Sequence, residues 1–228
     1  MTLCILPCYH IYALNVTMSA TLFSGGQLVM LPKFEPKTFI HALEKYEPSF
    51  LHLAPPLLAF CADHPGVRPE ALAKLHHIMT AAAPTGPTLL RRFKEKAPSV
   101  IVKEGWGMSE TSPIGLLSPL NQIVEGSCGV AVPNTELKIV DVSTGENLPA
   151  HKTGELCIRG PQIMPGYLDN EKATKETIKN GWLHTGDIAH FDEDGNIFIS
   201  DRLKELIKVK GFQVKSHSLC IIGISILT

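Results

Sequence analysis

The chain has 228 residues, 44% of them hydrophobic and 19% charged, which provides for a sizeable apolar core and excludes a disordered, highly charged segment. A formal net charge of −1 gives no electrostatic footprint for nucleic acid or an anionic membrane as the main partner. The six cysteines, at positions 4, 8, 61, 128, 157 and 220, form no C-x-x-C pair and no cluster with histidine at zinc spacing. They read as small hydrophobes in a reducing compartment rather than a disulfide framework.

Taken in order, Leu3 to Pro7 is an apolar run that reads as a buried strand, and Ile11 to Phe23 follows with helix-compatible spacing, ended by Gly25-Gly26. The first residues lack the basic flank and cleavage pattern of a signal peptide. Gln27 to Leu31 is a second strand stopped by Pro32, and Pro36 opens a helix through Tyr46. Phe50 to Leu53 is a third strand, and Pro55-Pro56 opens a helix through Cys61. His76 to Thr80 runs as a strand into Ala81-Ala82-Ala83-Pro84, and Pro87 starts a helix through Lys96. Val100-Ile101-Val102 is one more β-branched strand. Strand and helix alternate, so residues 1–112 are expected to form an α/β layer around a parallel sheet.

From Pro113 the segments shorten and helical periodicity nearly disappears. Leu137 to Val140, Gly154 to Arg159 and Ile188 to Phe191 read as strands, and Asp192 to Asn196 as a tight turn into Ile197-Phe198-Ile199. Only Glu171 to Ile178 reads as a helix, so residues 113–200 are expected to form a small β-rich, barrel-like subdomain. Residues 201–215 form a basic segment, and 216–228 an apolar tail far shorter than the ~20 residues that span a bilayer, so no transmembrane span is expected.

Chemistry concentrates around Gly105-Trp106-Gly107-Met108-Ser109-Glu110-Thr111. Glycines either side of an aromatic let backbone approach a flat ligand. An indole, a hydroxyl and a carboxylate then supply a stacking face, a phosphate donor and an oxygen ligand for Mg²⁺. A buried tryptophan closing a strand beside an ordinary serine cap is the plainer alternative. Tyr9-His10 falls where loops of an α/β sheet line a ligand crevice, or His10 is simply a satisfied, partly buried histidine. Ala81 to Pro84 is either a slot for a ligand ring or a close-packed turn. In Gly181 to Asp187 a carboxylate follows a glycine at the mouth of a strand, a placement suited to accepting both hydroxyls of a ribose, or Asp187 is simply a turn cap. Asp201 to Val214 alone is a basic, solvated helix or hairpin.

In this order, these stretches resemble the adenylate-forming superfamily of acyl-CoA synthetases, 4-coumarate–CoA ligases and luciferases, over about residues 3–215. The resemblance implies an acid–thiol ligase: a small carboxylic acid and MgATP give acyl-AMP and pyrophosphate, and coenzyme A then displaces AMP as a thioester. It implies His10 near the acid and the adenylate, and Ala81, Ala82, Ala83 and Pro84 flanking the acyl group and adenine. Trp106 and Gly107 would cover adenine, Ser109 would meet the α-phosphate, and Glu110 would hold Mg²⁺. Asp187 would grip the ribose with Arg202 beside it. Lys204 would be a hinge, while Lys208, Gly211 and Gln213 would serve thioester formation.

Two parts of the family pattern have no match here: the Ser/Thr/Gly-rich phosphate loop ending in lysine, and the C-terminal lid with its catalytic lysine. On that comparison the chain is expected to be a truncated form, impaired as a catalyst. A non-catalytic nucleotide- or acyl-binding module, or a partner of a full-length enzyme, is the alternative. A cytoplasmic location is expected, with a peroxisomal one for a longer form; no Ser-Lys-Leu ending is present.

Overall fold

The computed structural model describes residues 1–203 and, as backbone, strands at 207–209 and 212–214. The expected hinge Lys204, the expected thioester residue Gly211 and the apolar tail lie outside the described residues, and Lys208 and Gln213 are described as strand backbone alone. The chain divides into two units, Met1–Pro133 with Gln162–Met164, and Asn134–Pro161 with Pro165 onward.

In the first unit, β1 (Thr2–Cys4) leads to a π-helical segment, Tyr12–Ser19, which tightens into α1 (Ala20–Phe23). There follow β2 (Leu28–Met30), α2 (Pro36–Tyr46), β3 (Phe50–Leu53), α3 (Pro55–Asp63), β4 (His77–Thr80), α4 (Pro87–Lys96), β5 (Ile101–Gly107), β6 (Ile114–Leu117) and β7 (Val130–Ala131). The sheet order is β2-β1-β3-β4-β5-β6-β7, parallel through β5 and antiparallel from β5 to β7. Proline opens α2, α3 and α4, where its fixed φ suits the first turn and its missing N–H removes no helical bond. The core joins the strand residues Leu3, Leu51, Leu53 and Ile78 to Phe39, Leu58 and Phe93 of the helices. Burial of each such side chain contributes roughly 1.5–3 kcal/mol.

Three features differ from the sequence expectation. The first strand ends at Cys4 rather than Pro7, opposite Met30, where its partner β2 also ends. The helix expected over Ile11 to Phe23 is wound as π-helix for most of its length. The first sheet does not stop at residue 112: Trp106 pairs with Leu116, and Leu116 with Ala131, so β6 and β7 belong to it and the contact boundary falls after Pro133.

The second unit contains β8 (Glu136–Val140), β9 (Gly154–Arg159), α5 (Glu171–Thr177), β10 (Ile178–Lys179), β11 (Trp182–Phe191) and β12 (Ile197–Arg202). Its antiparallel sheet runs β10-β11-β9-β8, with β12 also on β11, around Ile139, Leu156, Ile158, Leu183 and Ala189. The expected α/β half and small β-rich half are both present. The β11–β12 turn is built as the acidic run predicts: Asp192 Oδ1 accepts the N–H groups of Asp194 at 3.1 Å and Asn196 at 2.8 Å, with Gly195 at φ +80°. β13 (Ile207–Val209) and β14 (Phe212–Val214) pair as an antiparallel hairpin with Lys208 opposite Gln213 in register.

Candidate functional site

The expected site residues of the first unit lie after β1, β4 and β5, at the carboxyl ends of its parallel strands. Ligands of such sheets bind outside those ends, near the point where strand order reverses, here at β1 between β2 and β3. Two long-range bonds tie the three segments together. Tyr12, buried in the π-helix, donates its hydroxyl to the Met79 carbonyl of β4 at 2.9 Å, and Asn15 Nδ2 donates to the Ser112 carbonyl beyond β5 at 3.2 Å. His10 stands at the entrance of that helix, exposed, six residues beyond the end of β1, with its Nδ1 accepting the Tyr12 N–H at 3.1 Å.

Ala81, half-buried, and Ala82 to Pro84, exposed, leave β4 as a loop pinned at its base. The hydroxyls of Thr80 and Thr85 lie 3.1 Å apart, and the Glu104 carboxylate of neighbouring β5 accepts from the Thr85 backbone and hydroxyl. Burial pushes the Glu104 carboxyl above the usual carboxylate range, and the Thr85 bonds partly offset this. Ala82 has φ +78°, a left-handed conformation that costs an alanine of order 1–3 kcal/mol and persists where the surroundings over-determine it.

The Gly105 heptapeptide continues β5 into a turn of 3₁₀ helix at Ser109–Thr111. Buried Thr111 holds it: its hydroxyl accepts the Met108 N–H at 3.0 Å and donates to the Pro113 carbonyl at 2.6 Å. Ser109 is thereby left exposed, with Trp106 and Glu110 half-buried on either side. The glycines have a reason inside the fold as well. A Cβ on Gly105 would lie 2.7 Å from Met79 Cε, and one on Gly107 only 1.7 Å from the Pro113 carbonyl oxygen. A serine hydroxyl beside a partly buried carboxylate fits a phosphate and its Mg²⁺, because that cation takes one or two carboxylates and completes its shell with phosphate oxygens and water.

The second unit carries Asp187 and Arg202. Asp187 lies six residues into β11, inside a ten-residue strand rather than at a strand mouth. Trp182 and Leu183 pair with β10, so the strand already runs upstream of Gly186. The register against β9 breaks between His184 and Ile188, and Gly186 sits there at φ +73°. Asp187 is buried, and its Oδ1 accepts from Arg202 Nε at 3.1 Å across the β11–β12 pair. Around it, Thr185 donates its hydroxyl to the Leu156 carbonyl at 2.8 Å and accepts the Asp187 N–H at 3.1 Å. Glu155 Oε1 accepts the Gly186 N–H at 3.1 Å, and Oε2 lies 2.8 Å from His184 Nδ1.

Sequence reasoning assigned no role to Tyr12, Asn15, Thr85, Glu104 and Thr111, which position the first group, or to Glu155 and His184, which surround the second. Glu155, a charge ahead of the apolar run Leu156-Cys157-Ile158, and Glu104, which follows Lys103 at the end of a β-branched run, were the legible signals among them. The five cysteines among the described residues are free thiols, with Cys4, Cys61 and Cys157 buried as expected of small hydrophobes. No helix among the described residues is long and apolar enough to cross a membrane.

The sequence profile of a family described as AMP-binding enzyme matches residues 1–168. The chain is 44% identical over 223 residues to 4-coumarate–CoA ligase 3 of Oryza sativa subsp. japonica, covering 95% of this chain and 40% of that protein. It is 43% identical to 4-coumarate–CoA ligase 1 of Narcissus pseudonarcissus, covering 95% of this chain and 41% of that protein. Among solved structures, ATP-bound MatB of Rhodopseudomonas palustris superimposes with a TM-score of 0.87 at 28% identity, over 94% of this chain and 42% of that one. The O-succinylbenzoate coenzyme A synthetase MenE of Bacillus subtilis, in complex with ATP and magnesium ion, does so with a TM-score of 0.80 at 25% identity, over 93% and 44%. The chain thus spans about two fifths of the length of its curated relatives.

Proposed function

The chain belongs to the AMP-binding enzyme family, and we propose that it serves ATP-dependent acid–CoA ligation, in which a small carboxylic acid attacks the α-phosphate of ATP and coenzyme A then takes the acyl group from the adenylate. The observation that carries this reading is the turn after β5, tied at Ser112 to the segment after β1 and bracing, through Glu104, the loop after β4. The end of β5 thereby presents an aromatic, a hydroxyl and a carboxylate, braced by the segments after β1 and β4.

In this reading Trp106 covers the adenine face, with Gly107 next to it, and Ala81, Ala82, Ala83 and Pro84 form the opposite wall, reaching toward the acyl group. Ser109 donates its hydroxyl to an α-phosphate oxygen, where negative charge gathers as the acid oxygen bonds to phosphorus and pyrophosphate leaves. Glu110 holds Mg²⁺, which when bound neutralises charge on the phosphates. His10, exposed at the entrance of the π-helix, faces the acid. Asp187 accepts the ribose hydroxyls, with Arg202 fixing its carboxylate. Lys204 as hinge, and Lys208, Gly211 and Gln213 in thioester formation, complete the proposal, as does a cytoplasmic location.

Calorimetric titration of the purified protein with AMP and with MgATP tests it, with Asp187→Ala as control. AMP binding that Asp187→Ala weakens by about tenfold or more supports the reading. No binding of either nucleotide by a folded protein overturns it. Pyrophosphate release with a panel of aromatic and aliphatic acids then separates catalysis from nucleotide binding alone.

A further inference from the structure

Where β11 leaves its register with β9, the ladder bonds between His184 and Ile188 are interrupted. A buried backbone N–H without a partner costs about as much as a lost hydrogen bond, so those groups need other acceptors. Side chains provide them. Glu155 of β9, with its side chain only 13% exposed, turns Oε1 to the Gly186 N–H at 3.1 Å. Thr185 bridges the Leu156 carbonyl and the Asp187 N–H. The other Glu155 oxygen is fixed by His184 Nδ1 at 2.8 Å. A carboxylate only accepts, so the imidazole proton lies on Nδ1.

We propose that Glu155, held by His184, is the positioning residue that sets Asp187 for a ribose: by clamping the Gly186 N–H it fixes the bulge from which the next residue presents its carboxylate. The proposal rests on the reading of Asp187 as the ribose acceptor. The alternative use of the cluster is a metal site, since Glu155, Cys157 and His184 bring three donor atoms within 4.8 Å of one another. The geometry favours the clamp. The 2.8 Å between Oε2 and Nδ1 is a charge-assisted hydrogen-bond distance, and Oε1 is already engaged by the backbone. Cys157 Sγ lies 3.4 Å from the same Nδ1, and burial with the Glu155 charge pushes its thiol up to about 12, so it stays protonated.

The experiment compares affinity for AMP with affinity for 2′,3′-dideoxy-AMP in the full chain. The native protein should prefer AMP by about tenfold or more, and Asp187→Ala should remove that preference. Glu155→Ala should reduce it to near the Asp187→Ala value while leaving dideoxy-AMP affinity nearly unchanged. Glu155→Gln keeps an oxygen for the Gly186 N–H and should retain most of the preference, and should Glu155→Ala not fold, loss of the preference in Glu155→Lys or partial loss in His184→Phe serves in its place. A purely structural role would lower the melting temperature and leave the ratio intact, and that result overturns the proposal. So does a Zn²⁺-induced rise in melting temperature that Cys157→Ser abolishes, which would assign the cluster to a metal. A native protein that binds neither nucleotide overturns the ribose reading itself, whereas one that prefers AMP but ignores Glu155→Ala overturns the clamp alone.

Discussion

Arg202 Nε donates to Asp187 Oδ1 at 3.1 Å from directly across the β11–β12 register, joining a carboxylate that is 6% exposed to a guanidinium that is 65% exposed. The carboxylate is fixed and dry while its cation reaches solvent. Arg202→Ala removes one charge-assisted donor, and because the guanidinium is screened by water the expected loss is about 1 kcal/mol in chemical denaturation. In the proposed site it should also weaken AMP binding, by less than Asp187→Ala does, since the ribose acceptor itself remains.

Trp106 should make a separable contribution. Stacking of a base on an aromatic is worth about 1–3 kcal/mol, so Trp106→Ala should weaken AMP binding by roughly tenfold to a hundredfold. Trp106→Phe preserves a π face and should retain most of the affinity. Equal losses in both variants, with unchanged far-ultraviolet circular dichroism, would remove Trp106 from the adenine site.

Gly107→Ala probes the turn that presents Ser109 and Glu110. The added Cβ would fall 1.7 Å from the Pro113 carbonyl oxygen and 3.0 Å from Ile114 Cα, backbone atoms where β6 begins opposite β5. Neither can swing aside as a side-chain tip would. The substitution should cost about 3 kcal/mol and shift the turn. By contrast, a Cβ on Gly105 meets the flexible Met79 Cε, so Gly105→Ala should be the milder of the two in thermal denaturation.

These residues also mark the limit of what the sequence discloses. The helices opened by Pro36, Pro55 and Pro87 and the strands Phe50–Leu53 and Gly154–Arg159 are legible, because proline geometry and apolar runs are local signals. The π winding of Tyr12–Ser19 is not, since its apolar spacing is also compatible with an α-helix. Nor is the addition of β6 and β7 to the first sheet, which depends on pairing with β5. For the site, small residues and a hydroxyl at strand ends pointed to the loops after β4 and β5. The braces did not show, because Tyr12 with Met79 and Glu155 with Gly186 are partners 67 and 31 residues apart. Asp187 is open to a turn-cap reading because Gly181 and Gly186 precede it, yet it lies inside a continuous strand that a bulge interrupts at Gly186.

His52 predicts an acid-sensitive fold. It lies within β3, 7% exposed, with its ring 4.7 Å from that of Phe50 and 6.0 Å from that of Tyr12, and its Nδ1 has no hydrogen-bond partner. Burial lowers its pKa from 6.5 to about 4, so the folded state holds a neutral imidazole. The unfolded chain takes up a proton first as the pH falls below 6.5. Stability from this group is therefore complete above that pH and lost progressively down to about 4, by about 3 kcal/mol at 1.36 kcal/mol per unit. Glu104 works in the opposite sense: its raised carboxyl is costly when charged, and protonation relieves the folded state as the pH falls. Comparison of native protein with His52→Phe isolates the histidine. Urea denaturation at pH 7 and pH 4.5 should show a markedly larger loss for the native protein than for the variant, whose ring fills the same aromatic slot without a titrating nitrogen. Equal losses in both would place the acid sensitivity elsewhere.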